Sequence, residues 1–388
     1  MNNNEVIFLN PPWYIKKILK INKLNFESYP KDKNPLENKI KIKSPIFKLY
    51  KLKYNNITNK KIIQILNSEY TQSKKFLLNN KFDEILFWNG LMDVESISSK
   101  ELKIKTYYFE NGYFPNTLQM SINGTNAFSE LYDLTYEQFM KFNYKSKEIN
   151  TPEFSIIKPK LFYPIKLFIE SLFIPRKFEN IFTKTKLILS PKITKIRKKN
   201  KKKTTNIKIK KPHILFPLQV NSDTQIKIHS KYKSMYEILD LIIPEIKKTN
   251  YSLIIREHPE EVSYSDYSKY IDNEQIFIDN STDLSEQIKK SKLVLIVNSS
   301  VGLQALSLKK PVCIFGNAIY QNSPISIRYD DYKNIKKIIS KAENILDEEN
   351  NKKIENYVKH FKKNIFINGN WRKPEKDLII EVCKRIQN

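Results

Sequence analysis

The side chains in this chain with the most chemical potential follow short apolar runs. Glu110, Asn111 and Gly112 come after the run 104–109; Gln219 and then Asn221-Ser-Asp223-Thr-Gln225 come after 213–216. Glu257 and His258 come after 252–256, Asn298, Ser299 and Ser300 after 293–297, and Gly316 and Asn317 after 312–315. Glu110 and Asp223 arise from different parts of the chain, each directly after such a run. Two carboxylates facing each other across a cleft suit transfer at a glycosyl centre: one attacks or stabilises an oxocarbenium-like carbon, and the other moves a proton to or from a hydroxyl. An isolated acid in a loop is ordinarily only solvated, so the pair acquires meaning only if the fold brings the two together.

Asn298-Ser299-Ser300-Val301-Gly302 reads as the end of a strand, a hydroxyl-rich turn and the start of a helix. Helix N-termini expose unpaired N–H groups and a partial positive charge, so this turn suits a phosphate; the competing reading of the serines is a plain helix cap. His258, one of four histidines, lies at a strand end as well. There it could donate to a phosphate oxygen or stabilise a phosphate leaving group. Four of the six glycines, Gly112, Gly124, Gly302 and Gly316, lie in or beside these clusters, where backbone must turn tightly or approach a ligand.

Strands that end in such clusters need a sheet with aligned carboxyl ends. The spacing predicts strands at 6–9, 84–88 and 104–109, then a regular alternation: strands at 213–216, 252–256, 275–278, 293–297 and 312–315, and helices around 231–248 and from Ser300. The first of these helices is the more strongly patterned, with Met235, Ile238, Leu239, Ile242, Ile243 and Ile246 at spacings of three and four and Pro244 as a candidate kink. Short apolar strands separated by amphipathic helices predict a parallel sheet covered on both faces, with ligands at the carboxyl ends of its strands. From Tyr332 the chain reads as helical, broken around Asn368 and Gly369. Residues 151–212 change texture, with spaced prolines, an amphipathic segment at 161–178 and a tract at 192–211 free of acidic residues. The organisation expected is an N-terminal domain at 1–150, a connection at 151–212, a nucleotide-binding domain at 213–345 and a helical tail at 346–388.

A chain of 388 residues with 40% apolar and 12% aromatic side chains can bury two cores, which excludes a small binding module and global disorder. Cys313 and Cys383 make no disulfide framework and lie in no zinc-binding spacing. The start of the chain does not read as a signal peptide, and 161–178 is too interrupted to span a bilayer, so a cytoplasmic protein is expected. The net charge of +27 calls for an acidic partner. No nucleic-acid motif accompanies the basic tract; an anionic membrane surface explains the charge better, since polybasic segments gain about 1 kcal/mol per cation near acidic lipid.

The motifs Phe109-Glu-Asn-Gly-Tyr113 with Asn123-Gly-Thr-Asn126, Leu218-Gln-Val-Asn-Ser-Asp-Thr-Gln225, Ile254-Ile-Arg-Glu-His-Pro259, Val297-Asn-Ser-Ser-Val-Gly302 and Phe315-Gly-Asn-Ala-Ile-Tyr320 resemble, in order and spacing, the bacterial capsule polysaccharide biosynthesis proteins, specifically the β-Kdo transferases that build the lipid-linked Kdo linker. The likeness covers residues 82–320. It departs at the opening strand, which is followed by Asn10-Pro-Pro-Trp13 rather than a glycine-containing turn.

This resemblance implies an α/β protein of two Rossmann-like domains facing a central cleft, a GT-B-like glycosyltransferase. It implies a retaining enzyme that takes Kdo from CMP-Kdo without a metal or other cofactor and passes it to a phospholipid or glycolipid acceptor. By motif, Asp223 corresponds to a carboxylate that forms a glycosyl adduct and Glu110 to the acid/base. His258, Ser299 and Ser300 correspond to the phosphate site, and Asn298, Gly316 and Asn317 to the nucleotide pocket. Gln219, Gln225 and Asn126 are candidates for substrate contact. The implied setting is the inner face of the cytoplasmic membrane, alongside other capsule assembly proteins. Rival readings are a sialyltransferase-like or CDP-glycerol glycerophosphotransferase-like enzyme and, from another class, a basic nucleic-acid-binding protein.

Overall fold

The computed structural model describes residues 6–9, 45–53, 57–80, 82–88, 94–144, 211–260, 265–371 and 375–386. The amphipathic segment 161–178, the tract 192–210 and the Asn10-Pro-Pro-Trp13 turn lie outside the described residues.

The first half is built on a five-stranded sheet in which four strands lie side by side in chain order and a fifth, contributed from later in the chain, borders the last of them. β1 (Val6–Leu9) is followed by α1 (Pro45–Lys53), α2 (Asn59–Asn80) and β2 (Glu84–Trp88), then by α3 (Val94–Glu101) and β3 (Lys105–Asn111). β1, β2 and β3 are parallel, as three apolar runs separated by helices require. β3 runs past the expected Phe109 to include Glu110, then reverses into β4 (Thr117–Ser121), which pairs antiparallel and sets Gln119 opposite Glu110. The sequence pattern did not mark β4: all five of its residues are buried, so it shows no polar alternation. Gly112 makes the reversal possible, since a Cβ there would lie 2.0 Å from Thr117 Oγ1. α4 (Tyr136–Lys141) closes this half, its first turn fixed by a reciprocal cap between Thr135 and Gln138.

The second half follows the expected alternation. β5 (His213–Pro217), α5 (Thr224–His229), α6 (Met235–Ile246), β6 (Ser252–Arg256), β7 (Ile276–Ile278), α7 (Leu284–Lys290), β8 (Leu293–Ile296), α8 (Ser300–Ser307), β9 (Val312–Ile314) and β10 (Ser326–Arg328) form a six-stranded sheet with its helices. Its order is β10-β9-β8-β5-β6-β7 and every neighbouring pair is parallel. Counted from β5, this is the 3-2-1-4-5-6 order of doubly wound nucleotide-binding sheets, whose direction of winding reverses between the first and fourth strands. That switch point falls between β5 and β8. The chain is an α/β protein with parallel sheets, as expected. α6 is shorter than 231–248 because Ser234 caps its first turn and Pro244 occupies its last.

The remaining elements are α9 (Tyr329–Tyr332), α10 (Ile335–Asn344), α11 (Glu348–His360), β11 (Ile367–Asn368) and α12 (Lys376–Ile386). The span 346–388, read as a helical tail, is helical in α11 and α12 but crosses back to the first half in between. β11 pairs antiparallel with β4, and α12 buries Leu378 and Ile386 against Leu86, Tyr107, Phe109, Leu118 and Met120. The break foreseen at Asn368 and Gly369 is the end of β11, with Gly369 at φ +135°.

A single apolar core runs from the second sheet into the first half, taking in Tyr113, Leu131 and Phe139. The Tyr113 ring meets Tyr320 edge-on at 5.9 Å and stacks on Phe366 at 6.0 Å. Tyr320, fully buried, lies directly over Gly302, where a Cβ would come within 2.3–2.6 Å of its hydroxyl and ring. Both atoms are walled in, so Gly302→Ala should lower unfolding free energy by about 1–3 kcal/mol in urea denaturation. A midpoint equal to that of the parent chain would contradict this packing.

Candidate functional site

The carboxyl ends of β3, β5, β6, β8 and β9 carry most of the residues singled out in the sequence, and hydrogen bonds link Gln219, Asn298, Gln225 and Asp223 directly. At the switch point, Gln219 beyond β5 and Asn298 beyond β8 are paired twice: Gln219 Nε2 donates to Asn298 Oδ1 at 3.1 Å, and the Asn298 N–H donates to Gln219 Oε1 at 3.1 Å. Asn298 Nδ2 donates onward to the carbonyls of Gln225 at 3.0 Å and His229 at 3.4 Å. Both side chains are buried. Their polar atoms are therefore engaged within the protein, and their part is to hold β5, β8 and α5 in register. The same His229 carbonyl accepts the N–H of Asn317 at 2.8 Å, and Gly316 N–H donates to Val297 at 2.9 Å, so the Gly316–Asn317 turn is tied to this clamp.

Asp223 caps α5. Its Oδ1 accepts the N–H of Gln225 at 2.9 Å, which places a carboxylate at the positive end of the helix. Gln225 contributes a second feature: its Oε1 is buried with no hydrogen-bond partner among the described residues. A buried acceptor without a partner costs free energy that a ligand donor would recover.

Glu110 reaches the same neighbourhood from the first half. Burial is the main cause that pushes its carboxyl up to about 7, against the lesser effect of donors from Asn111, and the negative charge of Asp223 adds to the rise. The same charges act on Tyr113: its buried hydroxyl is held far up the scale by burial first and then by Glu110 and Asp223. The Tyr113 hydroxyl donates to Asn126 Oδ1 at 2.9 Å, and Gln119 Nε2 donates to the same oxygen at 3.3 Å and to the Asn111 carbonyl at 3.1 Å. Asn126 holds φ at +55°, a conformation Asn tolerates better than most residues. Its side-chain oxygen thus serves the Glu110 neighbourhood from within.

Ser299 caps α8 through Val301 N–H at 3.2 Å, and Tyr320 donates to its carbonyl. The cap reading applies to the Ser299 hydroxyl; Ser300, half-buried, opens the helix beside it. His258 stands at the end of β6, the strand next to β5, without a direct contact to the other candidates among the described residues. Its Nδ1 accepts the N–H of Glu260 at 3.2 Å, which makes Nε2 the protonated nitrogen of the neutral ring and a donor.

A pocket of about 270 Å³ opens beside Gly316 and Asn317, walled also by Ser230, Lys231, Arg328 and Asp330, with Lys231 paired to Asp330. Arg328 escaped the sequence reading because the three-residue β10 that carries it is too short to show a pattern. His229 was also missed. Its ring packs edge-on against Phe128 of the first half at 4.5 Å, and burial pushes its pKa down to about 4, so it is neutral near neutral pH. Tyr113 and Gln119 escaped for a different reason: one sits within a motif whose acid drew attention, and the other lies on the unmarked β4. Among the described residues, no group of three His, Cys, Asp or Glu side chains is placed to hold a metal ion.

The model of the family described as "Capsule polysaccharide biosynthesis protein" matches residues 93–337, well over half of the 388 residues. The chain is 24% identical over 263 residues to protein FixF of Sinorhizobium fredii, covering 66% of this chain and 55% of that protein. It is 25% identical over 253 residues to the capsule polysaccharide modification protein LipB of Neisseria meningitidis serogroup B, covering 57% and 60%. The chain thus matches little more than half the length of these relatives. Among solved structures, it aligns with a Thermosulfurimonas dismutans KpsC β-Kdo 2,7 transferase at 16% identity and a TM-score of 0.42, covering 84% of this chain and 83% of that one. It aligns with the UDP-GlcNAc 2-epimerase of Methanocaldococcus jannaschii at 16% identity and a TM-score of 0.33, covering 92% and 98%.

The raised carboxyl of Glu110 has a consequence for stability. An acid whose folded pKa is about 7 against an ordinary 4.5 holds its proton more tightly when folded. That stabilisation is complete below the ordinary value and is lost as pH rises through about 7. Glu110→Gln keeps the shape and removes the charge, so relative to the parent chain it should gain on the order of 1–3 kcal/mol at about pH 8 and almost nothing at about pH 4. Urea unfolding at both pH values reads the difference; an equal offset at the two would refute the shift.

Proposed function

The chain belongs to the capsule polysaccharide biosynthesis protein family, and from that membership we propose that it is a retaining β-Kdo glycosyltransferase using CMP-Kdo. The observation that carries the reading is the placement of Glu110 at the end of β3 and of Asp223 at the cap of α5, one from each half, with the charge of Asp223 adding to the rise of the Glu110 carboxyl. In the first step a carboxylate oxygen of Asp223 forms a bond to the anomeric carbon as the bond from that carbon to the phosphate oxygen breaks, and CMP leaves with the electron pair. In the second, Glu110 takes the proton of the acceptor hydroxyl, whose oxygen attacks the same carbon and releases Asp223. Two inversions restore the β configuration.

The helix cap suits Asp223 to the first role, because the Gln225 N–H orients one oxygen and leaves the other at the cleft. A group that titrates near 7 suits Glu110 to proton transfer at neutral pH. His258, through Nε2, and the start of α8 at Ser299 and Ser300 would neutralise the departing phosphate, a task that a divalent cation performs in other transferases. The pocket at Gly316, Asn317 and Arg328 would take the rest of the nucleotide. The acceptor would be a phospholipid or glycolipid, and the net charge of +27 supports attachment to an anionic membrane surface. Among the described residues no helix is long and apolar enough to cross a membrane.

The test is release of CMP from CMP-Kdo with and without phosphatidylglycerol or lyso-phosphatidylglycerol, with CMP-sialic acid and CDP-glycerol as parallel donors and a chelator in a duplicate set. Acceptor-dependent turnover of CMP-Kdo alone, unaffected by the chelator, is expected; preference for another donor would overturn the assignment. Asp223→Ala should lose at least about a thousandfold in turnover while still binding CMP, and a fully active variant would remove Asp223 from the mechanism. The rate should rise with pH through about 7 as Glu110 loses its proton, a rise that Glu110→Gln should abolish.

A further inference from the structure

The strand end that carries His258 is closed in an unusual way. β7 lies parallel to β6 with Ile255 opposite Ile278, and the ladder runs one bond further, where the Asp279 N–H donates to the Ile255 carbonyl at 3.0 Å. Continued in the same pattern, the next bond would join the Glu257 N–H to the Asp279 carbonyl. That carbonyl instead accepts Nε2 of the buried Gln287 at 2.9 Å. Asn280 supplies an acceptor from its side chain: its Oδ1 takes the Glu257 N–H at 2.9 Å, while its Nδ2 donates to Glu257 Oε2 at 2.7 Å. One amide thus closes a ring on the backbone and the carboxylate of a single residue, and that residue immediately precedes His258.

The loop that carries Asn280 is itself fixed. Asp279 Oδ1 accepts the N–H groups of Ser281 at 2.9 Å and Thr282 at 3.1 Å, and Arg256 Nη1 donates to Gln287 Oε1 at 2.9 Å. Beyond His258, Pro259 confines the histidine backbone to extended conformations, and the Glu260 N–H meets Nδ1 at 3.2 Å. The imidazole is therefore held from both sides, with Nε2 left to donate. Closing a strand does not require a carboxylate. Glu257 is only 7% exposed, and its burial carries a cost that a plain backbone bond to Asp279 would have avoided.

We propose that Asn280 is a positioning residue for His258, setting through Glu257 the line along which Nε2 donates to the phosphate of the nucleotide; this rests on the phosphate contact given to His258 above and is indifferent to which sugar the nucleotide carries. A hydrogen bond to the departing phosphate strengthens as negative charge builds on it, so a misdirected ring loses more in turnover than in ground-state binding.

The test is a double-mutant cycle in the full-length chain, read as kcat and KM for CMP-Kdo. Asn280→Asp keeps an acceptor for the Glu257 N–H but sets a second carboxylate against that of Glu257. It should lower kcat about tenfold or more while KM moves by less than about threefold. In a His258→Ala chain the same substitution should change kcat by less than about twofold, because the ring it misdirects is gone. Asn280→Asp/Glu257→Gln rebuilds the ring of bonds with donor and acceptor exchanged, and should recover most of the lost turnover, which separates misdirection from misfolding. An equal loss of kcat in both backgrounds, or no recovery in the paired variant, would overturn the proposal. Should the parent chain fail to turn over CMP-Kdo, the transferase reading falls by itself, and titration with CMP alone then decides the point through the imidazole NMR signal of His258, identified by its absence from His258→Ala. A shift with CMP that Asn280→Asp diminishes and the paired variant restores supports the positioning role; no shift in the parent, or the full shift in Asn280→Asp, removes it.

Discussion

The ring of Tyr113 joins the two halves of this molecule. It leaves the first sheet three residues after Glu110 and enters the core of the second, edge-on to Tyr320 and stacked on Phe366. Such aromatic contacts contribute about 0.5–1.5 kcal/mol each beyond the area they bury, and here they also set geometry. On one side, the short turn from Tyr113 back to Glu110 holds that acid over the second half. On the other, Tyr320 packs on Gly302 and donates to the carbonyl of Ser299, so the start of α8 is positioned by the same contact. The strand β11 and helix α12, returning to the first sheet, brace the joint from behind.

Around that joint the fold treats its two acids differently. Asp223 sits at the N-terminus of α5, where a backbone N–H and the aligned peptide dipoles favour negative charge. Glu110 is deprived of water, and its donors come from the neighbouring asparagine alone among the described residues. Two carboxyls in environments this different can take different roles in one reaction. The polar atoms nearby follow a similar division. Gln219 and Asn298 satisfy each other across the switch point, whereas among the described residues Gln225 leaves a buried oxygen unpaired.

Much of the second half was legible in the sequence because its strands are buried on both faces and so appear as unbroken apolar runs, as in Ser252–Arg256, recovered to the residue. The helix at Met235 was legible by its period, and only its ends moved, for reasons of capping by Ser234 and termination near Pro244. β4 and β10 were not legible: one is buried without alternation and the other is three residues long. Because β4 was missing, Gln119 and its link to Asn126 could not be foreseen. Residue types at strand ends marked Asn298 and Gln219 as candidates for ligand contact, and type alone could not foretell that the two pair with each other across the switch point. The return of β11 to the first sheet is a long-range pairing that no local pattern encodes.

The measurement that bears most directly on the account is intact-protein mass analysis of the Glu110→Gln chain after incubation with CMP-Kdo, followed by peptide mapping. With the second step disabled, the account predicts a protein heavier by one Kdo residue, the added mass on the peptide that contains Asp223, and no such species in Glu110→Gln/Asp223→Ala. A Kdo adduct on another residue, or CMP release by the Glu110→Gln chain with no adduct formed, would contradict the roles assigned to the two acids.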